Sequence, residues 1–177
     1  MQTYISILRG INVSGQKKML MTDLAKLYED LGFKEVVTYI QSGNIIFKTD
    51  KKFTDVKLAK LIEDKIVATY NFQVPVIIRT LKELQDIVFV NPFGKEEIDS
   101  LYVTFLSNSP NAINLEKLEN VNFLPDKFEI INKEIFLSVS SYGNTKLSNN
   151  FFENKLKVTA TTRNWKTVIK LLELANA

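Results

Sequence analysis

The chain has 177 residues, 45% of them hydrophobic and 24% charged, so a packed core is expected and disorder is not. Its formal charge of +3 is too small to argue for nucleic acid by itself. It has no cysteine and no histidine, which excludes disulfides, thiol nucleophiles, thiolate or imidazole metal sites and histidine-based acid–base chemistry.

In chain order, Tyr4 to Leu8 reads as a buried strand that leaves through a turn at Arg9-Gly10-Ile11-Asn12. A helix follows, with Thr22 as expected N-cap, an apolar stripe of Leu24, Leu27, Tyr28 and Leu31, and Gly32 at C′. Val36 to Ile40 and Ile45 to Thr49 read as strands joined by the turn Gln41-Ser42-Gly43-Asn44. A second helix begins near Thr54. A fourth strand spans Val74 to Arg79, with Pro75 placing it toward a sheet edge. Thr80-Leu81-Lys82-Glu83 is a capping box that opens a short helix ending before Asn91-Pro92. This order, strand-helix-strand-strand-helix-strand, is that of a split βαβ unit.

The second half begins likewise, with a strand at Tyr102–Leu106, a short helix at Asn114–Val121 and a hairpin of Lys127–Ile131 with Glu134–Val139. Ser148–Leu156 and Trp165–Ala175 read as helices, and no strand is expected after residue 160. The fold class predicted is therefore α+β: two tandem ferredoxin-like subdomains, residues 1–93 and 98–177, the second truncated and ending in helices. The join falls near Asn91 to Asp99.

Three polar strings stand apart from the core pattern: Leu8-Arg9-Gly10-Ile11-Asn12-Val13, Thr38-Tyr39-Ile40-Gln41-Ser42-Gly43-Asn44 and Ala160-Thr161-Thr162-Arg163-Asn164-Trp165. In this order and spacing they resemble the bacterial family catalogued as domain of unknown function 1697. Lys146-Leu147-Ser148 resembles that family's pattern as well. The one departure is Ser14, where the pattern leads one to expect glycine before Gly15. The resemblance implies two α+β subdomains and no particular activity.

Of 23 basic residues only Arg9, Arg79 and Arg163 are arginine, as if a planar five-donor fork were kept for special places. Arg9 and Arg163 lie in the strings, each near an asparagine. They serve either as clamps on carboxylates or carbonyls, or as ligand-binding groups. In a split βαβ unit the first two strands run parallel, so the turns at Arg9–Asn12 and Gln41–Asn44 should be neighbours at the carboxyl edge, where open α/β sheets bind ligands. Ser-Gly-Asn is also simply a good turn. With Thr161 or Thr162 as N-cap, Arg163 would stand in the first turn of the last helix, where a docked anion would relieve its unfavourable position. Trp165 reads as core or as a stacking platform.

The leading expectation is a pocket for a small anionic ligand, a phosphorylated or carboxylated metabolite or a nucleotide, in a cleft between the subdomains. Its candidate residues are Arg9, Asn12, Ser42, Asn44, Lys146, Arg163 and Asn164; whether the protein is also an enzyme stays open. The alternatives are RNA binding on a sheet that offers Tyr4 and Phe47, or a structural protein-interaction module. No cofactor and no metal site is expected: Glu96, Glu97 and Asp99 read as solvated surface, although they could hold a hard cation. The segment MQTYISILRGIN carries no signal-peptide features, and no apolar run is long enough to span a bilayer, so a cytoplasmic location is expected.

Overall fold

A computed structural model describes residues 1–177. Eight strands and six helices build two four-stranded antiparallel sheets. By compactness the chain divides into a first unit, Met1–Gln85 with Lys170–Ala177, and a second, Asp86–Ile169. The division falls inside a helix rather than in the segment 91–99, and the last eight residues group with the first unit.

In the first unit β1 (Gln2–Leu8), α1 (Met21–Asp30), β2 (Lys34–Tyr39), β3 (Asn44–Thr49), α2 (Asp55–Tyr70) and β4 (Val76–Thr80) follow one another, with sheet order β2-β3-β1-β4. Strand alternation points Tyr4, Leu8, Ile45, Phe47, Val76 and Ile78 into one cluster with Leu24, Leu27 and Tyr28 of α1 and Leu58, Ile62 and Ile66 of α2. Ser6 lies on the same face and shares a 2.8 Å hydrogen bond with the buried Tyr28 hydroxyl. Ile5, Ile7, Ile46 and Ile77 on the opposite face are buried too, which explains the near-continuous apolar runs of these strands. β4 is an edge strand, as Pro75 suggests.

Local sequence sets the helix ends. Thr54 caps α2 by accepting from the Lys57 amide at 3.3 Å, and Asn71 closes it with φ +59°. After α1, Gly32 (φ +85°) donates to Glu29 O and Phe33 to Tyr28 O, the two bonds of a Schellman stop. The predicted N-cap at Thr22 is corrected: α1 starts one residue before it, and Leu20 stands at the cap without a side-chain bond.

The second unit is the larger correction. It contains β5 (Leu101–Leu106), α4 (Ala112–Glu116), β6 (Lys127–Ile131), β7 (Glu134–Ser138), α5 (Asn149–Leu156) and β8 (Ala160–Asn164), with sheet order β6-β7-β5-β8. It is not truncated, because a strand does follow residue 160. β8 pairs antiparallel with β5, Val103 opposite Arg163 and Phe105 opposite Thr161. Its polar side chains are satisfied locally. The Thr104 and Thr162 hydroxyls lie 2.7 Å apart, and Thr162 donates to Asn149 Oδ1 of α5 at 2.7 Å. Ala160, Leu106, Ile135 and Leu137 pack with Phe152 and Leu156 of α5 in the unit's core.

α3 (Leu81–Val90) follows β4, and α6 (Trp165–Asn176) follows β8. Both are opened by equivalent devices. Glu83 N donates to Thr80 Oγ1 at 3.2 Å, and Thr167 N to Asn164 Oδ1 at 2.8 Å. Arg79-Thr80-Leu81-Lys82 thus matches Arg163-Asn164-Trp165-Lys166 in place as well as in pattern. The strand exits match too: Leu8 N donates to Gly43 O and Arg9 N to Pro75 O, as Leu106 N donates to Lys133 O and Ser107 N to Thr159 O.

Candidate functional site

The turns after β1 and β2 do meet. Asn12 donates from Nδ2 to Gln41 O and to Met19 O, both at 3.0 Å, while its Oδ1 accepts from the Met19 amide at 2.8 Å. Asn44 is fully buried and donates to Tyr39 O and Ser42 Oγ at 3.0 Å. Gly43, at φ +82°, lies against Leu8 and Ile11. Arg9 heads the first turn, half-buried. Asn12 therefore ties the two turns to each other, whereas Asn44, with Ser42, shapes the turn between β2 and β3. Beyond it the chain makes a tight hairpin, Val13 opposite Gln16, with Ser14 at φ +52° and Gly15 at φ +74°. That geometry is a type I′ turn, which favours glycine at both central positions, so Ser14 stands where glycine would fit best.

The third string lies in the second unit, and its predicted geometry is corrected. Arg163 is in β8, before the helix, and the N-cap is Asn164, so Arg163 does not sit in the first turn of α6. Its guanidinium is only 9% exposed; Nη1 donates to Thr162 O at 2.9 Å and to Thr161 Oγ1 at 3.2 Å. Burial lowers its pKa to about 10, with the Tyr142 hydroxyl acting in the opposite direction. Arg79, 1% exposed, occupies the matching position of β4 and donates to the carbonyl of its own preceding residue, Ile78, at 2.7 Å. Trp165 is buried at the start of α6 and offers no stacking platform.

The aromatics proposed for RNA are also interior. Tyr4 and Phe47 stack on each other at 5.8 Å, 3% and 0% exposed, and Phe47 packs on Phe33 and Tyr28. They fill the helix-covered face of the sheet and leave no room for a base. The acidic residues near the join are engaged elsewhere: Glu96 binds Lys127 and Ser138, and Asp99 pairs with Lys166 at 2.5 Å.

Lys146 lies in different surroundings. It lines an open cleft of about 540 Å³ in the second unit with Asn122, Phe123, Leu124, Asp126 and Asn144. Two short segments frame it. In the first, Asn122 Oδ1 accepts from Leu124 N at 3.1 Å, and Asp126 N donates to Phe123 O at 3.1 Å. The second, after β7, is tied to the first through Asp126. Its Oδ1 accepts from the amide and hydroxyl of Ser140 at 3.2 Å, and its Oδ2 from Thr145 Oγ1 at 2.6 Å. The Thr145 hydrogen bond outweighs the opposing effect of burial and, with lesser help from the two Ser140 bonds, holds the Asp126 carboxyl below its usual range, so it is ionised at neutral pH. Leu147, fully buried, anchors the far end of the segment.

The Lys146 ammonium lies 5.5 Å from the centre of the Phe123 ring, which Phe151 of α5 meets edge-on at 5.5 Å. It forms no ion pair with Asp126 or any other carboxylate. The lining thus offers an exposed ammonium on an aromatic face, an ionised carboxylate with one acceptor position left, and two asparagine amides. Of these residues only Lys146 stood out in the sequence. The clustering of turn-forming residues in Asn122–Asp126 and Tyr142–Thr145 is the signal that could have drawn attention to the rest.

The model of a family of proteins of unknown function, DUF1697, matches residues 1–136, more than three quarters of the sequence. The chain belongs to this family. A solved structure of similar fold is that of a conserved bacterial protein, SP0830, from Streptococcus pneumoniae, with a TM-score of 0.75 and 20% identity over 98% of each chain. At that identity the likeness to the DUF1697 chain shows the fold alone. No curated protein matches it.

Proposed function

We propose that this DUF1697 protein is a binding protein for a small charged metabolite, held in the second-unit cleft with its anionic group on Lys146. The observation that carries the reading is the exposed, unpaired ammonium fixed over Phe123 in a cleft of metabolite size. An ammonium that already rests on an aromatic face and lacks a carboxylate partner gives up little to receive an anion. Asn12, Asn44, Arg163 and Asn164 we assign to architecture, since each is engaged in a local hydrogen bond that shapes a turn, a strand or a cap. Arg9 and Ser42 belong with the turn pair of the first unit. The matching element orders and strand orders support reading each unit as a ferredoxin-like module. No helix is long and apolar enough to cross a membrane, and with the absence of cysteine this supports a cytosolic setting.

The test is calorimetric titration of the purified chain with a panel of phosphorylated, carboxylated and amino-acid metabolites. At least one should bind saturably, and Lys146→Gln should weaken it tenfold or more while Lys146→Arg largely keeps it. Binding that is unchanged in Lys146→Gln would overturn the reading.

A further inference from the structure

We infer that the occupant of this cleft is zwitterionic, a free amino acid or short peptide whose carboxylate meets Lys146 and whose ammonium meets Asp126. The inference rests on the proposal that the cleft binds a ligand, and it narrows which kind.

The argument starts from charge. The lining carries one cation and one anion, Lys146 and Asp126, with neutral Asn122, Asn144, Phe123 and Leu124 between them. The two do not neutralise each other, because no ion pair joins them. A phosphate group carrying close to two negative charges would gain one ammonium and meet one carboxylate in the same small space. A ligand with one charge of each sign satisfies both.

Hydrogen-bond capacity agrees. A carboxylate offers about four acceptor positions. At Asp126 two are used on Oδ1 by Ser140 and one on Oδ2 by Thr145, which leaves a position on Oδ2 for a donor. The three internal donors keep the carboxylate fixed and charged without saturating it. On the other side Lys146 brings three N–H donors and no hydrogen-bonded partner. The asparagines are complementary: Asn122 uses its Oδ1 on Leu124 N and keeps its amide donors, whereas Asn144 uses Nδ2 on Ser141 Oγ and keeps its acceptor. The lining therefore offers both donors, on Lys146 and Asn122, and acceptors, on Asp126 and Asn144. Leu124, 70% exposed, and the Phe123 ring give an apolar wall for a side chain. A volume of about 540 Å³ has room for a large amino acid or a dipeptide.

The experiment follows backbone amide chemical shifts of the full chain during titration with the twenty common L-amino acids and a set of dipeptides. Each probe is matched by its N-acetylated form and by the amine lacking the carboxyl group, with inorganic phosphate alongside. The expected result is saturable shifts confined to residues 122–126 and 140–147 for at least one free amino acid or dipeptide. Either N-acetylation or loss of the carboxyl should weaken that probe tenfold or more, and phosphate should leave these amides unmoved. Lys146→Gln should abolish the response to the parent probe, and Lys146→Arg should restore most of it. If the N-acetylated forms or phosphate bind as well as the zwitterions, this inference fails while the proposal of a ligand cleft stands. If no probe of any class moves these amides, the cleft proposal falls and takes the inference with it.

Discussion

Gly43 carries two constraints, and they can be separated by experiment. Its φ of +82° is one that side-chain-bearing residues adopt at a cost of roughly 1–2 kcal/mol. A methyl there would also come within 2.7 Å of Ile11 Cδ1 and 2.8 Å of Leu8 Cβ, both fully or almost fully buried. Overpacking of that kind adds roughly 1–3 kcal/mol. Gly10 shares the first constraint, at φ +70°, but has open space where a methyl would go. Gly43→Ala should therefore destabilise the protein by about 2–5 kcal/mol and Gly10→Ala by only about 1–2, read from denaturant midpoints at constant slope. Equal losses would mean that Leu8 and Ile11 yield easily, and that the turn pair is not packed as tightly as its distances indicate. The string Gln41-Ser42-Gly43-Asn44 is thus a turn whose composition answers steric demand, with Asn12 and Asn44 engaged in the hydrogen bonds that align it.

At the scale of elements, β8 shows how a strand can be made from polar residues. Thr104 is fully buried on β5, and its hydroxyl bonds the Thr162 hydroxyl, which bonds Asn149 of α5. Thr162→Val keeps the shape and the β-branch but removes the middle of this chain. The buried Thr104 hydroxyl then loses that partner, at a cost of about 1–3 kcal/mol. The double variant Thr104→Val with Thr162→Val should cost less than the sum of the two single changes, because both ends of one bond are removed together. Strict additivity in a double-mutant cycle would show that the hydroxyl pair contributes nothing. The same chemistry explains what could be read in advance. Strands with apolar runs, most of the helices and the two turns were legible, because hydrophobic spacing and turn residues act locally. Ala-Thr-Thr-Arg-Asn has no apolar alternation, and two threonines before a helical stripe look like a cap. Its strand character comes from β5 and α5, which supply the missing bonds from 58 and 13 residues away. The local clue was the repetition of Arg79-Thr80-Leu81-Lys82 as Arg163-Asn164-Trp165-Lys166, since the first copy ends a strand and opens a helix. The cleft was harder to see: its lining comes from two segments joined by Asp126, and only Lys146 stood out by pattern.

At the scale of the whole molecule the two units repeat one plan, down to the bonds that leave the first strand of each and the buried arginine in the last strand of each sheet's order, Arg79 before α3 and Arg163 before α6. They are not simply consecutive in sequence, because Lys170–Ala177 groups with the first unit. Within that unit Gln85 Nε2 donates to Asn176 Oδ1 at 3.3 Å, and Leu171 and Ala175 are buried. Burying a leucine side chain contributes about 1.5–3 kcal/mol, so these eight residues contribute appreciably to a unit whose own last strand ended some ninety residues earlier. A chain ending at Ile169 should melt at a lower temperature, and the loss should be specific in place. Hydrogen exchange should show reduced protection of the amides in β1 and β3, although the deletion adjoins the second unit in sequence. The β5 and β7 amides should lose less, because the strand pairing and the α5 packing of their unit are retained. Loss of protection confined to β5–β8, with β1 and β3 unaffected, would assign the C-terminal segment to the second unit and make the two units consecutive after all.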